Sequence, residues 1–445
     1  MDKSELKIIF KQGAFSTIID IVIKLLSSVT GIFVARLLGP LGTGDYSLLL
    51  ALTGLISLIS ILGVNFAHVY FLGNKRYSLE IIEGNIIFFV LIGFIIAILT
   101  LFILSNFFVR LSFNNVYYFV ITVFVILLSI ISLHFGSILL GLEKIKDLKL
   151  VSLVSPMCMF FSFFIPFLLR KSISNSLLYI LVVFFVSHFL TIIFYFSFML
   201  SNKMLFFTFH FVKIDIIKDS LNYGIKNWIG NILYGLTNRL DFFLVAYFTS
   251  VTQVGYYSVA VSLSDLIGFI PRSFSSILLP KFSRLDNVNS EKIAGIIIRH
   301  MSFFVILLGF FFVIFGKQFI NILYSEEFLP AYIPFLILIL GATFMSINGV
   351  LFNFFAANGK PQIPSIILFI GLIVNTLLDL ILIPKYSIIG ASFASTMAYI
   401  LTTIIAIIVF VKRTSMNLCD IIILKKTDFI RMVSIAKSLY TLRGK

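Results

Sequence analysis

The sequence predicts an all-α polytopic membrane protein: twelve transmembrane helices in two pseudo-symmetric six-helix lobes, with both termini cytoplasmic. Three observations lead there. First, 60% of the 445 residues are hydrophobic and only 12% are charged, against roughly 45–50% and about 25% in soluble domains. A chain this apolar cannot cover itself with polar surface in water, which excludes a soluble globular protein. Second, twelve stretches reach the ~20 apolar residues that a helix needs to cross a bilayer. Third, the basic residues alternate along the chain as cytoplasmic and external loops should.

The twelve stretches lie near residues 13–35, 46–70, 85–108, 117–140, 150–169, 176–200, 227–248, 255–279, 294–315, 331–355, 363–383 and 388–410. They are continuous runs rather than alternating ones, so a β-barrel is excluded. With both termini inside, and Arg299 at the inner end of the ninth stretch counted as inner, 25 of the 34 Lys and Arg fall on the inner side, 6 outside and 3 within spans. In a soluble protein a net charge of +15 would point to nucleic acid. Here it reads as topology, and no nucleic-acid partner is expected.

The division is an N-terminal lobe at 1–200, a cytoplasmic linker at 201–226, a C-terminal lobe at 227–411 and a basic tail at 412–445. A repeat supports the six-plus-six split. At a constant offset of 211, Ala35, Gly44, Tyr46, Ser47, Leu52, Leu55 and Ile56 match Ala246, Gly255, Tyr257, Ser258, Leu263, Leu266 and Ile267. With six spans per half the repeats keep one orientation, related by an axis along the membrane normal. The N-terminal stretch holds Asp20 and Lys24 and has no small-residue cleavage site, so it reads as an uncleaved first span. In the tail, Phe429, Ile430, Val433, Ala436 and Tyr440 at helical spacing, interleaved with Lys and Arg, predict an amphipathic helix on the anionic inner leaflet. Cys158 and Cys419 are far apart and imply neither a disulfide nor a metal site.

Charges within spans each cost ~2.5–3.5 kcal/mol at mid-depth, so those present select the helices that face a polar space. Asp20 and Lys24 lie in the first span, Arg239 and Asp241 in the seventh, Asp265 and Arg272 in the eighth and Asp379 in the eleventh. Asp20 and Lys24 are four apart and can pair on one face. Arg239 and Asp241 are two apart and point to opposite sides, so each needs a partner elsewhere. Asp265 and Arg272 share a face but are ~10.5 Å apart along the axis. Arg suits bidentate recognition of phosphate. Asn375 and Asp379, four apart, offer hard oxygen ligands for an alkali cation, and Asp379 alone can take a proton. His68, His134 and His188 read as isolated packing residues, with His68 beside Asn65 the best exception. Asn348 and Asn353 read as interhelical glue. No nucleophile elbow, Walker A or zinc-protease motif occurs, so neither an enzyme nor a cofactor is expected.

Several segments resemble a known group. Residues 35–46, ARLLGPLGTGDY, are similar to the stretch after the first helix of Wzx-type polysaccharide and O-antigen flippases. Arg239-Leu-Asp241 with Gly255-Tyr-Tyr-Ser-Val-Ala260 resembles the start of their second half, and Pro280-Lys-Phe-Ser283 the end of their eighth helix. Asn375 through Pro384, then Gly390-Ala-Ser392 and Thr396, resembles the eleventh and twelfth helices. The group belongs to the multidrug/oligosaccharidyl-lipid/polysaccharide flippase superfamily.

This resemblance implies a MATE-like fold with a cationic central cavity, alternating access and a polyprenyl-diphosphate-linked oligosaccharide as substrate. It implies substrate contacts from Lys24, Arg36, Arg239 and Arg272, with Asp20, Asp265 and His68 beside them. It further implies an ion-coupling site, for sodium or a proton, from Asp241, Asn375, Asp379 and Thr396, with Ser392 and Ser395 competing for the last place. The implied location is the cytoplasmic (inner) membrane. Implied partners are membrane lipids, a glycan polymerase and a chain-length regulator, in the biosynthesis of O-antigen, lipopolysaccharide or capsule. A multidrug cation antiporter of the same superfamily is the alternative, disfavoured because the central spans carry at least as many Lys and Arg as acids. A membrane glycan polymerase is disfavoured by the short outer loops.

Overall fold

A computed structural model describes the backbone of residues 3–107, 115–202, 204, 213–282, 287–414, 416–418 and 421, with most of their side chains. Among the described residues, twelve α-helices run α1 Lys3–Ser60, α2 Val64–Gly73, α3 Leu79–Phe107, α4 Val116–Gly141, α5 Ile145–Ser152, α6 Val154–Leu168, α7 Ser176–Ser201, α8 Ile214–Phe248, α9 Val251–Phe282, α10 Asn287–Tyr324, α11 Tyr332–Ala357 and α12 Gln362–Arg413. No strand occurs among the described residues. The predicted amphipathic tail beyond residue 421 lies outside the described residues.

By length and composition, eight helices among the described residues can cross a membrane. Their outward faces are apolar. On α3, Leu91, Ile95, Leu99 and Phe102 form an exposed stripe, while Ile82, Ile86, Phe89, Ala97 and Leu101 are buried on the other side. Such a stripe is unfavourable in water and matches lipid.

Two of the long helices are broken internally. In α1, Gly39 sits at φ 65°, ψ −171°, a conformation open to glycine alone, and Pro40 then starts a new segment with no N–H to offer the old one. In α12 the break falls at Ser387, φ 54°, ψ −136°, three residues after Pro384. The sequence places span boundaries at both points. It does not anticipate a third break, inside the predicted span 46–70. There Leu62 (φ 52°) and Gly63 (φ 70°) separate α1 from α2.

Helix starts have local causes. Asn115 accepts a hydrogen bond from the Tyr117 amide at 3.0 Å, and Asn175 one from the Leu178 amide at 3.0 Å. Each satisfies an N–H that the first turn leaves open.

The chain divides into two compact units. The first comprises residues 1–258 with 323–327, and the second 259–322 with 328–445. In the first, Ala67, Phe71, Ile82, Ile138 and Met199 form one core cluster, and Val34, Leu49, Phe163, Ile180 and Phe184 another. Tyr46 packs edge-on against Phe163 and Phe184, with centroids at 5.8 and 5.5 Å. In the second, Leu278, Phe282, Val350, Leu351, Phe355 and Phe410 form the core.

Candidate functional site

In the first unit the charged residues gather on α8 and the helices around it. Asp241 is buried. Its Oδ2 accepts the Tyr257 hydroxyl at 2.5 Å and its Oδ1 the Phe242 amide at 2.9 Å. The spacing requires a partner from another helix, and α9 supplies it. With the carboxylate so engaged, the half-buried Arg239 lies over the Phe242 ring, 5.8 Å from its centroid. Among the described residues no carboxylate is hydrogen-bonded to Arg239, so the guanidinium keeps donors to offer an anion.

The N-terminal part of α8 is pinned to the first unit, which fixes where these charges stand. The Trp228 indole N–H donates to the Leu58 and Ile59 carbonyls at 3.0 and 3.2 Å. Those carbonyls lie in the last turn of α1, where the Ile59 carbonyl also accepts the Leu62 amide at 3.4 Å. Gly224 meets Gly63 backbone to backbone, where a Cβ on either would collide with the other's carbonyl. Tyr223 stacks on Tyr70 at 4.5 Å and 17°. Asp219 forms an ion pair with Arg76 and accepts the Tyr77 hydroxyl at 2.7 Å, which pushes that phenol's pKa up. Predicted as linker and span start, residues 214–248 form one unbroken helix.

The remaining sequence-selected residues of this unit are dispersed. The exposed carboxylate of Asp20 pairs not with Lys24 but with Lys149 of α5, at 2.7 and 2.9 Å. A partner from another helix competes successfully because α5 packs on α1 beside it. Lys24 is half-buried on α1. Arg36 donates through Nε to the Leu323 carbonyl at 2.8 Å, at the end of α10. His68 is fully buried, its ring against that of His134. Asp45, part-buried on α1 next to Tyr46, lies at the edge of the predicted span 46–70 and so is not among the charges within spans. The repeat does not mark it, because Asp45 occupies the variable position of Gly-x-Tyr-Ser, filled by Tyr256 in the second copy.

In the second unit, α12 folds back on itself at Ser387 and brings its two halves together. Asn375 Nδ2 donates to Ser395 Oγ at 3.4 Å. Asp379, one turn along from Asn375, is fully buried, as is Ser392, one turn from Ser395. The fold-back is tight: a Cβ on Gly390 would strike the Leu382 carbonyl. Thr396 turns the other way and donates to the Ile337 carbonyl of α11 at 2.9 Å. The oxygen set facing Asn375 thus contains Ser395, one of the two competing serines, and not the Thr396 hydroxyl. Asn348 donates to Thr402 at 3.0 Å across the α11–α12 contact, whereas Asn353 bonds within its own helix. Asp265 is half-buried on α9, and the side chain of Arg272 lies outside the described residues.

A family profile described as polysaccharide biosynthesis protein matches residues 9–286, a stretch that contains both the α8 charges and their clamp. The chain belongs to that family. An uncharacterized membrane protein of Methanocaldococcus jannaschii is 28% identical over 197 residues, 43% of this chain and 39% of its own length. A probable low-salt glycan biosynthesis flippase of Haloferax volcanii is 21% identical over 187 residues, 41% and 39% respectively. The matches thus span about two-fifths of these relatives. Among solved structures, a lipid II flippase in an inward closed conformation aligns with TM-score 0.71 and 18% identity, over 91% of this chain and 88% of that one. An inward-facing multidrug resistance MATE family transporter aligns with TM-score 0.66 and 15% identity, over 90% and 100%. This member of the polysaccharide biosynthesis family therefore shares the fold of those two structures and is a multi-pass membrane protein.

Proposed function

We propose that the protein is a flippase that moves a polyprenyl-diphosphate-linked oligosaccharide from the inner to the outer leaflet of the cytoplasmic membrane by ion-coupled alternating access. It would serve the assembly of a cell-surface polysaccharide such as O-antigen or capsule, handing its cargo to a glycan polymerase under a chain-length regulator. The family match and the glycan-flippase relative support the cargo class.

The observation that carries the reading is Arg239. It is a guanidinium part-way along a membrane helix, held over Phe242 while Tyr257 takes the adjacent carboxylate. A cation kept available at such cost suits a diphosphate. Twelve crossings with both termini inside fit the helices: α1 and α12 count twice because of their breaks, and α8 and α9 join the eight apolar ones. The oxygen cluster of Asn375, Asp379 and Ser395 is proposed to take the coupling cation, sodium or a proton, which biases the two states by binding them unequally.

The test is complementation of a flippase-deficient host. Arg239→Ala should abolish glycan export with the protein still inserted at normal level, and normal export would remove Arg239 from the mechanism.

A further inference from the structure

Inside the first unit, two imidazoles meet where no polar partner meets them. The His68 ring on α2 and the His134 ring on α4 lie 5.5 Å apart between centroids, tilted by 40°. Both residues are fully buried, and none of their four ring nitrogens has a hydrogen-bond partner. Leaving a buried polar atom unpaired costs about 1–3 kcal/mol, so a packing role alone would favour Phe or Leu at both positions.

The surroundings sharpen the point. Phe89 of α3 closes one side of His68, 6.1 Å away between centroids. One turn along both helices, Gly93 of α3 approaches Ile130 of α4 and the Ser60 carbonyl of α1. In that same region Ser57 Oγ, Ser60 Oγ and Asn65 Oδ1 are also buried without a hydrogen bond. The pair is therefore packed in the interior of the unit, in a stretch of the fold that holds further buried polar atoms without hydrogen bonds.

The ionisable groups near it are few. Residues 52–60 of α1, 85–93 of α3 and 130–138 of α4 contain no Asp, Glu, Lys, Arg or Tyr, and His134 is their only titratable side chain. Glu83 stands at the start of α3, six residues before Phe89. On α2, Tyr70 turns to Tyr223 of α8, and Asp219 of α8 is held by Arg76. Lys226 of α8 is exposed. On α7, His188 Nδ1 is bonded to the Phe184 carbonyl of its own helix, and Tyr195 packs against Phe135. The charges of α5 turn elsewhere: Lys149 pairs with Asp20, Asp147 lines a groove with Phe194 and Phe198, and Lys146 is exposed.

We infer that His68 and His134 together form a binding site for one proton, taken up when α2 and α4 part enough to admit water. Imidazole changes charge between about pH 5 and 8. A first proton on the pair finds a lone pair on the neighbouring ring, and a second is repelled by the first. The packed arrangement withholds the water that an imidazolium needs, so proton occupancy and the parted arrangement favour each other by reciprocal linkage. The proposal adds a protonation site in the first unit, apart from the Asn375–Asp379 cluster. Only its use in transport rests on the flippase reading.

The full chain in lipid nanodiscs, labelled with ¹⁵N-histidine and titrated from about pH 8 to about pH 5, tests the binding without any glycan. The two resonances lost in His68→Gln and in His134→Gln should titrate as a coupled pair that gains one proton. Removal of either partner should turn the other into a simple single-site titration, whereas His188→Gln should change neither. Two neutral rings across the whole range, or two rings that titrate independently, would overturn the site. Glycan export measured against pH in complemented cells separates the two readings. A profile altered alike by either variant and no further by both supports the site's use in transport. An unaltered profile beside a coupled titration keeps the proton site and overturns its part in export.

Discussion

Gly44 and Gly255 face each other across one helix crossing, each against the carbonyl that its own repeat partner's helix supplies. A Cβ on Gly44 would strike the Val251 carbonyl, and a Cβ on Gly255 the Pro40 carbonyl. Val251 stands to Pro40 as Gly255 stands to Gly44, at the same offset of 211. The sequence repeat is thus a physical two-fold contact within the first unit, with backbones as close as small-residue crossings allow. Gly44→Ala and Gly255→Ala should each destabilise the protein by about 1–3 kcal/mol through overpacking. Because both push the same two segments apart, the double variant should cost less than the sum. Thermal unfolding of the purified protein reads this, and strict additivity would refute the shared contact.

Trp228→Phe should cost more than Arg76→Ala. The indole serves two carbonyls at the α1–α2 break, and their loss is worth about 1–2 kcal/mol. The Arg76–Asp219 pair is half-exposed, with side-chain exposures of 53% and 32%, and such pairs contribute about 0–1 kcal/mol. Melting temperatures of the two variants in the same detergent decide the order.

Tyr257→Phe leaves the buried Asp241 without its side-chain donor. The carboxylate should then turn to Arg239 and withdraw the guanidinium from the cargo. Export should fall sharply while protein level holds, and Asp241→Asn in the same background should restore part of it. No recovery would show that Tyr257 acts by some other route.

At the α12 cluster, Ser395→Ala should weaken ion dependence more than Thr396→Val, because Ser395 meets Asn375 whereas Thr396 serves the Ile337 carbonyl. Asp379→Asn should abolish the dependence. Sodium and pH titrations of export in the three variants provide the ranking, and equal effects from Ser395 and Thr396 would contradict it.

Ser387→Gly should stabilise the protein. The observed φ of 54° with ψ of −136° is a region where only glycine is unstrained, and a strained backbone of this kind costs about 1–3 kcal/mol. Gly39→Ala, the opposite change at the corresponding break in α1, should destabilise it by a similar amount.

The helical class, the breaks at Gly39 and Ser387 and the partner that Asp241 needs were legible because each rests on a local rule: apolar length, Gly-Pro or Pro punctuation, and helical phase. What escaped depends on which helix lies beside which. Asp20 has Lys24 within reach by spacing, yet Lys149 arrives from a distant segment. Trp228 reads as one more aromatic until the last turn of α1 presents the Leu58 and Ile59 carbonyls to its indole. His68 and His134 are 66 positions apart, and nothing in either's neighbourhood announces the other.

The clamp on α8 sets an angle as well as a position. Arg239 follows Trp228 by eleven residues, ~16 Å along an unbroken helix. Each residue between them advances the side chains by about 100° around the axis. One inserted alanine would leave every anchor from Asp219 to Trp228 in place and the hydropathy unchanged. It would nonetheless aim Arg239 and Asp241 at different neighbours. The stretch from 229 to 238 therefore acts as a phase spacer, in which length matters more than the identity of its residues.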